Sequence, residues 1–293
     1  MTPDDPFGVD PRAVRKAFNA AARTYDAAAV LQAEVRARLL ERLDAVSVTP
    51  AGILDAGSGT GTAAAGLRSH YPDARIVLLD IAERMLKEAE AGGGTELTHA
   101  VCADAGRLPL ADNSVGLVFS NLMLQWAADL DRVFLEFRRV LETSGLVVFS
   151  TFGPDTLGEL RAAWSEADGY NHVNRFIDMH DIGDALVRAG FAEPVMDLEH
   201  FTLTYPDLRA LMLDLKAIGA RNATAGRNRS LTGRGRLTAV EKAYRRWRRD
   251  GRLISTWEVI YGIAWVPGTP RGTGQQTSGG EVRVPMDLIP RRR

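Results

Sequence analysis

Residues 53–61 of this chain read Ile53-Leu54-Asp55-Ala56-Gly57-Ser58-Gly59-Thr60-Gly61. An apolar run that enters three alternating glycines is a buried strand ending in a tight turn. Thr62-Ala63-Ala64-Ala65 then opens a helix. Glycine accepts φ > 0 and lets a ligand approach the backbone, and the helix start offers free N–H groups. A dinucleotide fingerprint would read G-x-G-x-x-G. Here the third glycine, Gly61, comes one place early and Thr62 stands where that glycine belongs. The turn therefore points to a nucleotide-like ligand other than a dinucleotide, and a nicotinamide oxidoreductase is disfavoured.

The flanking pattern sets the fold class. Strands are predicted at Ile53–Asp55, Arg75–Asp80, Leu97–Asp104, Gly116–Asn121 and Leu146–Ser150. Between them lie helices at Thr62–His70, Ile81–Ala91 (closed by Gly92-Gly93-Gly94) and Leu130–Leu141, the last ended by Gly145. Continuous apolar strands alternating with helices indicate an α/β fold with a parallel sheet covered on both faces. Upstream, 11–45 reads as two helices with a break near Thr24-Tyr25-Asp26; Val14, Phe18, Ala21 and Tyr25 recur at helical spacing. Downstream, helices are expected over 155–168 and Asp181–Ala189, and strands over Val195–Thr204 and Thr256–Val266. About 50 mostly helical, basic residues lie between those strands. The expected organisation is a helical cap over 1–48, a main domain over 49–266 with lid insertions near 152–180 and 205–253, and a disordered tail over 267–293, rich in Gly, Pro, Ser and Thr.

Composition excludes several classes. Cys102 is the only cysteine, which rules out an intrachain disulfide, argues against a cysteine metal site and fits a reducing cytoplasm. No metal is expected. The acidic start Met1-Thr2-Pro3-Asp4-Asp5-Pro6 is not expected to be a signal peptide, and no apolar run approaches the roughly 20 residues of a membrane span. The net charge of −1 conceals an asymmetry: 221–252 holds eleven Lys/Arg against Glu241 and Asp250. Such a run calls for a partner or at least an explanation, and a solvated helix face without a partner stays open.

Three acids end three consecutive strands: Asp55, Asp80 and Asp104. In an open parallel sheet, ligands bind at the carboxyl ends of the strands. Asp80, 19 residues beyond Gly61, is placed to accept both hydroxyls of a ribose. Asp104 is placed for an adenine amino group and Asp55 for a charged amino group. The ligand these describe is a nucleoside carrying an amino acid, with no pyrophosphate.

The segments LDAGSGTG (54–61), the strand-end Asp80, ADAGRLPLADNSVGLVFSN (103–121) and LEFRRVLETSGLVVFST (135–151) resemble a class I S-adenosylmethionine-dependent methyltransferase. That resemblance implies a Rossmann-like sheet of seven strands, the last antiparallel, and S-adenosylmethionine as cofactor. It implies cofactor contacts at Asp55, Gly57, Gly59, Gly61, Asp80, Ile81, Asp104, Ala105 and Asn121. A narrower resemblance lies in AFNAAARTYD (17–26), NLMLQWAADL (121–130), FGPDTLGELRAAW (152–164), HVNRFIDMHDIGDALVRAGF (172–191), LTYPDLRALMLDLKAIGA (203–220) and TWEVIYGIAW (256–265). Together these look like the malonyl-acyl-carrier-protein O-methyltransferases of biotin synthesis. That family esterifies the free carboxyl of a malonyl thioester, masking its charge so that fatty-acid enzymes can elongate the chain toward pimeloyl.

What such a reaction needs is alignment and desolvation, since a carboxylate is already nucleophilic at neutral pH. Arg175 is the expected clamp on the substrate carboxylate. The resemblance puts Tyr25 over the cofactor, and His172 is a further candidate donor. Gln125 and Trp126 follow the fourth strand beside the expected methyl-transfer position, where Trp126 also reads as core packing. The basic stretch 221–252 would meet an acidic acyl carrier protein; its few aromatics, Tyr244 and Trp247, argue against nucleic acid. A monomer is expected. Two alternatives stay open. Parts of the same segments also resemble a methyltransferase-fold arginine hydroxylase that assists respiratory complex assembly. A non-catalytic cofactor-binding module is the other.

Overall fold

The computed structural model describes residues 8–92, 97–224, 226–227 and 233–268. The expected tail lies outside these residues from 269 onward, as do Gly93 and Gly94 of the glycine run and Arg229 of the basic stretch.

The parallel strands form as the apolar pattern requires: β1 (Gly52–Ala56), β2 (Arg75–Asp80), β3 (Thr98–Cys102), β4 (Val115–Asn121) and β5 (Leu141–Phe152). Two long strands complete the sheet, β6 (Ala192–Tyr205) and β8 (Arg252–Trp265), the latter antiparallel to both β5 and β6. The order along the main sheet is β3-β2-β1-β4-β5-β8-β6, so seven strands with the last in sequence antiparallel is what forms. A short β7 (Arg248–Arg249), not anticipated, pairs with the start of β8 through the turn Asp250-Gly251, both at positive φ (47° and 73°). That is the conformation a two-residue hairpin demands.

Helices cover both faces. Alternate β1 residues feed opposite cores: Ile53 joins Val35, Leu39, Leu67 and Trp257, whereas Leu54 joins Phe134, Phe137 and Leu186. α1 (Pro11–Ala28) is capped by Asp10, whose carboxylate accepts the N–H groups of Arg12 and Ala13. α2 (Val30–Glu41) follows after Ala29 alone. The break therefore falls three residues later than expected, and Thr24, Tyr25 and Asp26 are helical. Then come α3 (Ala64–His70), α4 (Glu83–Ala91) and α5 (Leu130–Val140). α6 (Gly158–Ser165) and α7 (Met179–Arg188) follow β5. α8 (Leu208–Ala217) and α9 (Arg234–Tyr244) occupy the segment between β6 and β8.

Gly145 does not end α5. The helix stops at Val140, and Leu141 already pairs with Val115 in β5. Residues 142–145 bulge out before Leu146 pairs with Leu117, with Ser144 at φ 63°. A Cβ on Gly145 would stand 2.8 Å from the Glu142 carbonyl, so glycine serves the bulge.

No described helix is long and apolar enough to cross a membrane.

Candidate active site

The parallel order reverses at β1, which lies between β2 and β4. The carboxyl ends of those strands therefore open a crevice at the switch point. The glycine turn lines it and is pinned from below. The N–H groups of Gly57 and Ser58 donate to the Leu79 carbonyl at 2.7 and 3.0 Å. The Gly59 N–H donates to the Asp80 carboxylate at 3.0 Å. Gly57 has φ 76° and no room for a side chain, since a Cβ would sit 2.3 Å from Met123 Cγ. Gly59 has φ 56° but faces open space. A side chain there would project into the open space without touching the protein.

The crevice is a cleft of about 770 Å³ including its open mouth. Tyr25, Gly57, Gly59 and Asp80 line it, as do Ile81, Asp104, Ala105, Asn121 and Trp126. These come from five separate stretches of the sequence. Two of the predicted cofactor residues lie outside its lining. Gly61 (φ 74°) turns away, and a Cβ there would press on Ala89 and Leu78; it lets α4 pack on the turn. Asp55 lies beneath the cleft, 1% exposed.

Apolar walls were not singled out as site residues. Phe18 and Val14 come from α1, Met85 from α4, and Leu122 and Met123 from the turn just after β4. The helical spacing of Val14, Phe18 and Tyr25 is the visible signal for the α1 residues alone, and it reads equally as core packing. Phe18 stands edge-on to Trp126, ring centroids 5.3 Å apart. α1 thus forms one wall of the cleft.

The acids have distinct environments. Asp80 accepts from Gly59 with one oxygen and from Ala82 N–H with the other, at 3.0 and 2.7 Å. Each oxygen keeps a further lone pair. Burial raises its pKa, and the amides of Ala82, Gly59 and Ile81 oppose that rise. Asp55 has one carboxylate oxygen with no hydrogen-bond partner. Burial first, then the charge of Asp80, pushes its pKa up to about 7. A buried acceptor left unsatisfied is costly, and a cation delivered to this spot would relieve it. Asp104 accepts the Gly106 N–H at 2.8 Å, which fixes its side chain at the rim. Burial, then the charges of Asp80 and Asp26, keeps the Tyr25 phenol protonated far above its usual range. A protonated phenol can donate a hydrogen bond. Asn121 is held by the Ser150 hydroxyl (2.9 Å) and by its own bond to the Gln32 carbonyl (3.2 Å).

The predicted substrate residues lie in grooves next to the cleft. Gln125 and Arg175 line an adjoining pocket with Leu124, Thr151, Phe176 and Ile177, and Ala127 borders both it and the cleft. Gln125 donates to the Leu122 carbonyl (2.6 Å) and accepts from the Thr151 hydroxyl (3.1 Å). His172 lies further out, in a third groove that shares Arg175, Phe176 and Ile177 with the second. Its Nε2 meets Asp168 at 2.8 Å, and its ring stacks on Trp164 with centroids 3.6 Å apart. The structure brings Tyr25 to the cleft but places neither His172 nor Arg175 in its lining.

Comparison with known proteins identifies the family. Residues 54–149 match the family described as a methyltransferase domain. The chain is 55% identical over 270 residues to a malonyl-[acyl-carrier protein] O-methyltransferase of Methylovorus sp. (strain MP688), covering 90% of this chain and 91% of that one. It belongs to the malonyl-[acyl-carrier protein] O-methyltransferase family. A second relative of that name, from Halorhodospira halophila, is 49% identical with 100% of both chains covered. Solved structures share the fold at lower identity. The YcgJ protein of Bacillus subtilis superposes with a TM-score of 0.57 at 13% identity, covering 79% of this chain and 99% of its own. The [4+2]-cyclase SpnF superposes with a TM-score of 0.51 at 20% identity, covering 79% and 81%. One fold thus carries different reactions, and the sheet alone does not name the chemistry.

Proposed function

We propose that this chain transfers a methyl group from S-adenosylmethionine to the free carboxyl of a malonyl thioester on acyl carrier protein. The observation that carries the reading is the near-full-length identity to relatives named for that reaction. The methyl ester would start pimeloyl synthesis for biotin.

The residues fit the cofactor. Asp55, buried with an unpartnered oxygen, would face its cationic amino group, beside Gly57 of the turn. Asp80 would take the ribose hydroxyls on its remaining lone pairs. Ile81 would support the adenine, with Asp104 and Ala105 at its edge, and Gly59 would leave room for the ligand. Asn121, at the end of β4, would flank the reacting end. When bound, S-adenosylmethionine supplies an electrophilic methyl group on a sulfonium.

The chain's own work is then placement. Arg175 would pair with the malonyl carboxylate and hold it in the groove that meets the cleft at Ala127. Tyr25 and Phe18 on α1 would exclude water and keep the carboxylate desolvated. His172, engaged with Asp168 and Trp164, would shape the approach rather than touch the reacting atoms. The exposed cations Arg234, Lys242, Arg245 and Arg249 would meet an acidic carrier protein. We assign 1–48 as a cap and 152–180 and 205–253 as lid segments of a main domain spanning 49–266. The protein is read as a cytoplasmic monomer that binds neither nucleic acid nor membrane.

The relatives favour this reading over an arginine hydroxylase or a silent binding module. The test is mass spectrometry of malonyl-acyl carrier protein incubated with enzyme and S-adenosylmethionine. A methyl ester is expected. Cofactor bound with no ester formed overturns the proposal.

A further inference from the structure

The third groove has features that the methyl-transfer chemistry leaves unexplained. It runs along α6 and the loop 169–178, lined by Arg161, Trp164, Tyr170, His172, Arg175 and Ile177 among others. Phe176 and Ile177 border both this groove and the inner one, which in turn meets the cofactor cleft at Ala127. Outer groove, inner groove and cleft therefore adjoin in series. A malonyl group alone needs only the inner one.

Arg161 is the telling residue. It is half-buried, on the second turn of α6, and donates to the carbonyls of Pro154 (3.1 Å) and Thr156 (2.9 Å). Among the described residues it makes no ion pair with a carboxylate. Burial lowers its pKa, with only Asp155 acting in the other direction. A half-buried guanidinium bonded to neutral carbonyls keeps positive potential directed at what lies beside it. That position lines an outer groove that also carries Asp168, Asp178 and Asp181, and whose flank on α9 is basic. Arg236 of α9 lies 5.9 Å from the Tyr170 ring and 3.7 Å from the Asp168 carboxylate; exposed Arg234 and Arg245 lie on the same segment, and Arg246 pairs with Glu166 at 2.6 Å.

We infer that the outer groove receives the phosphopantetheine arm of the acyl carrier protein, with its phosphodiester at Arg161 and its thioester passing Phe176 and Ile177. The proposal rests on the malonyl-thioester reading above and specifies its route. A phosphodiester carries one negative charge on paired oxygens, the geometry a guanidinium matches. The arm beyond it is slender and mixed in polarity, as are Trp164, Tyr170, His172 and Ile177. The carrier protein itself, being acidic, would rest on α9 at the groove mouth. Coenzyme A shares the arm but not the protein, so the basic flank favours the carrier protein as the occupant.

Three thioesters separate the possibilities: malonyl-acyl carrier protein, malonyl-coenzyme A and malonyl-N-acetylcysteamine, which has the thioester end and no phosphate. Arg161→Gln is expected to lower kcat/KM for the carrier-protein thioester about tenfold, chiefly through KM. It should leave N-acetylcysteamine turnover and S-adenosylhomocysteine affinity as in the parent. Equal loss on all three thioesters would mean that Arg161 only holds the Pro154–Thr156 loop, and no loss on any would remove it from the route. Either result overturns the proposal. A loss confined to coenzyme A overturns the choice of carrier protein. Should Arg161→Gln fail to fold, Ile177→Trp tests the same path, because Ile177 is 39% exposed where the two grooves join. It is expected to cut carrier-protein turnover at least about tenfold with cofactor affinity intact, and unchanged turnover would refute the route. If the parent enzyme methylates none of the three, the malonyl reading itself fails, an outcome distinct from any of these.

Discussion

The hydroxyl of Thr60, in the glycine turn, donates to the carboxylate of Asp26 on α1 at 2.6 Å. This bond ties the helix that walls the cleft to the turn that floors it. It closes a contact between segments 34 residues apart. Thr60→Val removes the donor and keeps the shape. A hydrogen bond of this kind is worth about 1 kcal/mol net, so S-adenosylhomocysteine affinity should fall about fivefold by calorimetry. A fall of that size with an unchanged melting temperature would locate the effect in cleft closure. Unaltered affinity would mean that α1 stays in place without the tie.

Asp80 has two tasks, and variants separate them. Its carboxylate orients the turn by accepting from Gly59 and Ala82, and it is proposed to hold the ribose. Asp80→Ala loses both tasks. With charged hydrogen bonds at about 1.5–3 kcal/mol, cofactor affinity should drop at least about tenfold. Asp80→Asn keeps one acceptor oxygen for the backbone and loses the charge, and should lie between. Calorimetry showing parent affinity in Asp80→Ala would remove Asp80 from the ribose.

The strand–turn–helix at Ile53–Gly61 was legible because its signals agree: an unbroken apolar run, three glycines and a strand-end acid. Local rules failed where distant contacts decide. Thr24, Tyr25 and Asp26 are mediocre helix formers, and the expected break fell there. In the fold, Thr24 bonds the Ala217 carbonyl of α8 and Asp26 bonds Thr60. Those contacts hold the helix to Ala28. Gly145 looked like a helix stop because glycine usually is one, yet pairing of Leu141 with Val115 ends the helix earlier. The grooves around Arg175 and His172 are built by loop 169–178, which carries no periodic pattern. Sequence alone therefore named these residues without placing them. The apolar walls, Phe18 and Met85 among them, are indistinguishable from core in a linear reading.

Asp55 makes stability depend on pH. Its folded pKa is raised to about 7 from an ordinary value of 3.8. The folded protein therefore holds a proton that the unfolded chain has already released. Stability is unaffected by Asp55 below the ordinary value, falls as pH rises through the window between the two, and stays reduced above the raised value. Each tenfold change in proton affinity is worth about 1.4 kcal/mol, and relaxation at the site reduces the total. In the cofactor-free protein, Asp55→Asn should raise the melting temperature at pH 8 and leave it nearly unchanged at pH 4. The parent and variant melting curves against pH should converge on the acid side. Parallel curves across the range would show that Asp55 does not titrate there.

Arg175 decides where the substrate carboxylate sits. It is exposed on the loop between α6 and α7, at the junction of the inner and outer grooves. If it pairs with the malonyl carboxylate, Arg175→Ala removes a charge-assisted, two-pronged contact worth about 1.5–3 kcal/mol. Turnover of malonyl-acyl carrier protein should fall between about tenfold and about a hundredfold in kcat/KM. S-adenosylhomocysteine affinity should hold, because Arg175 does not line the cofactor cleft. Arg175→Lys should recover only part of the rate, since an ammonium cannot reproduce the fork of a guanidinium. Full recovery by lysine would reduce the role of Arg175 to a point charge. Parent turnover in Arg175→Ala would move the carboxylate site elsewhere, and Thr151 with Gln125, buried at the inner end of the same groove, would become the pair to change next.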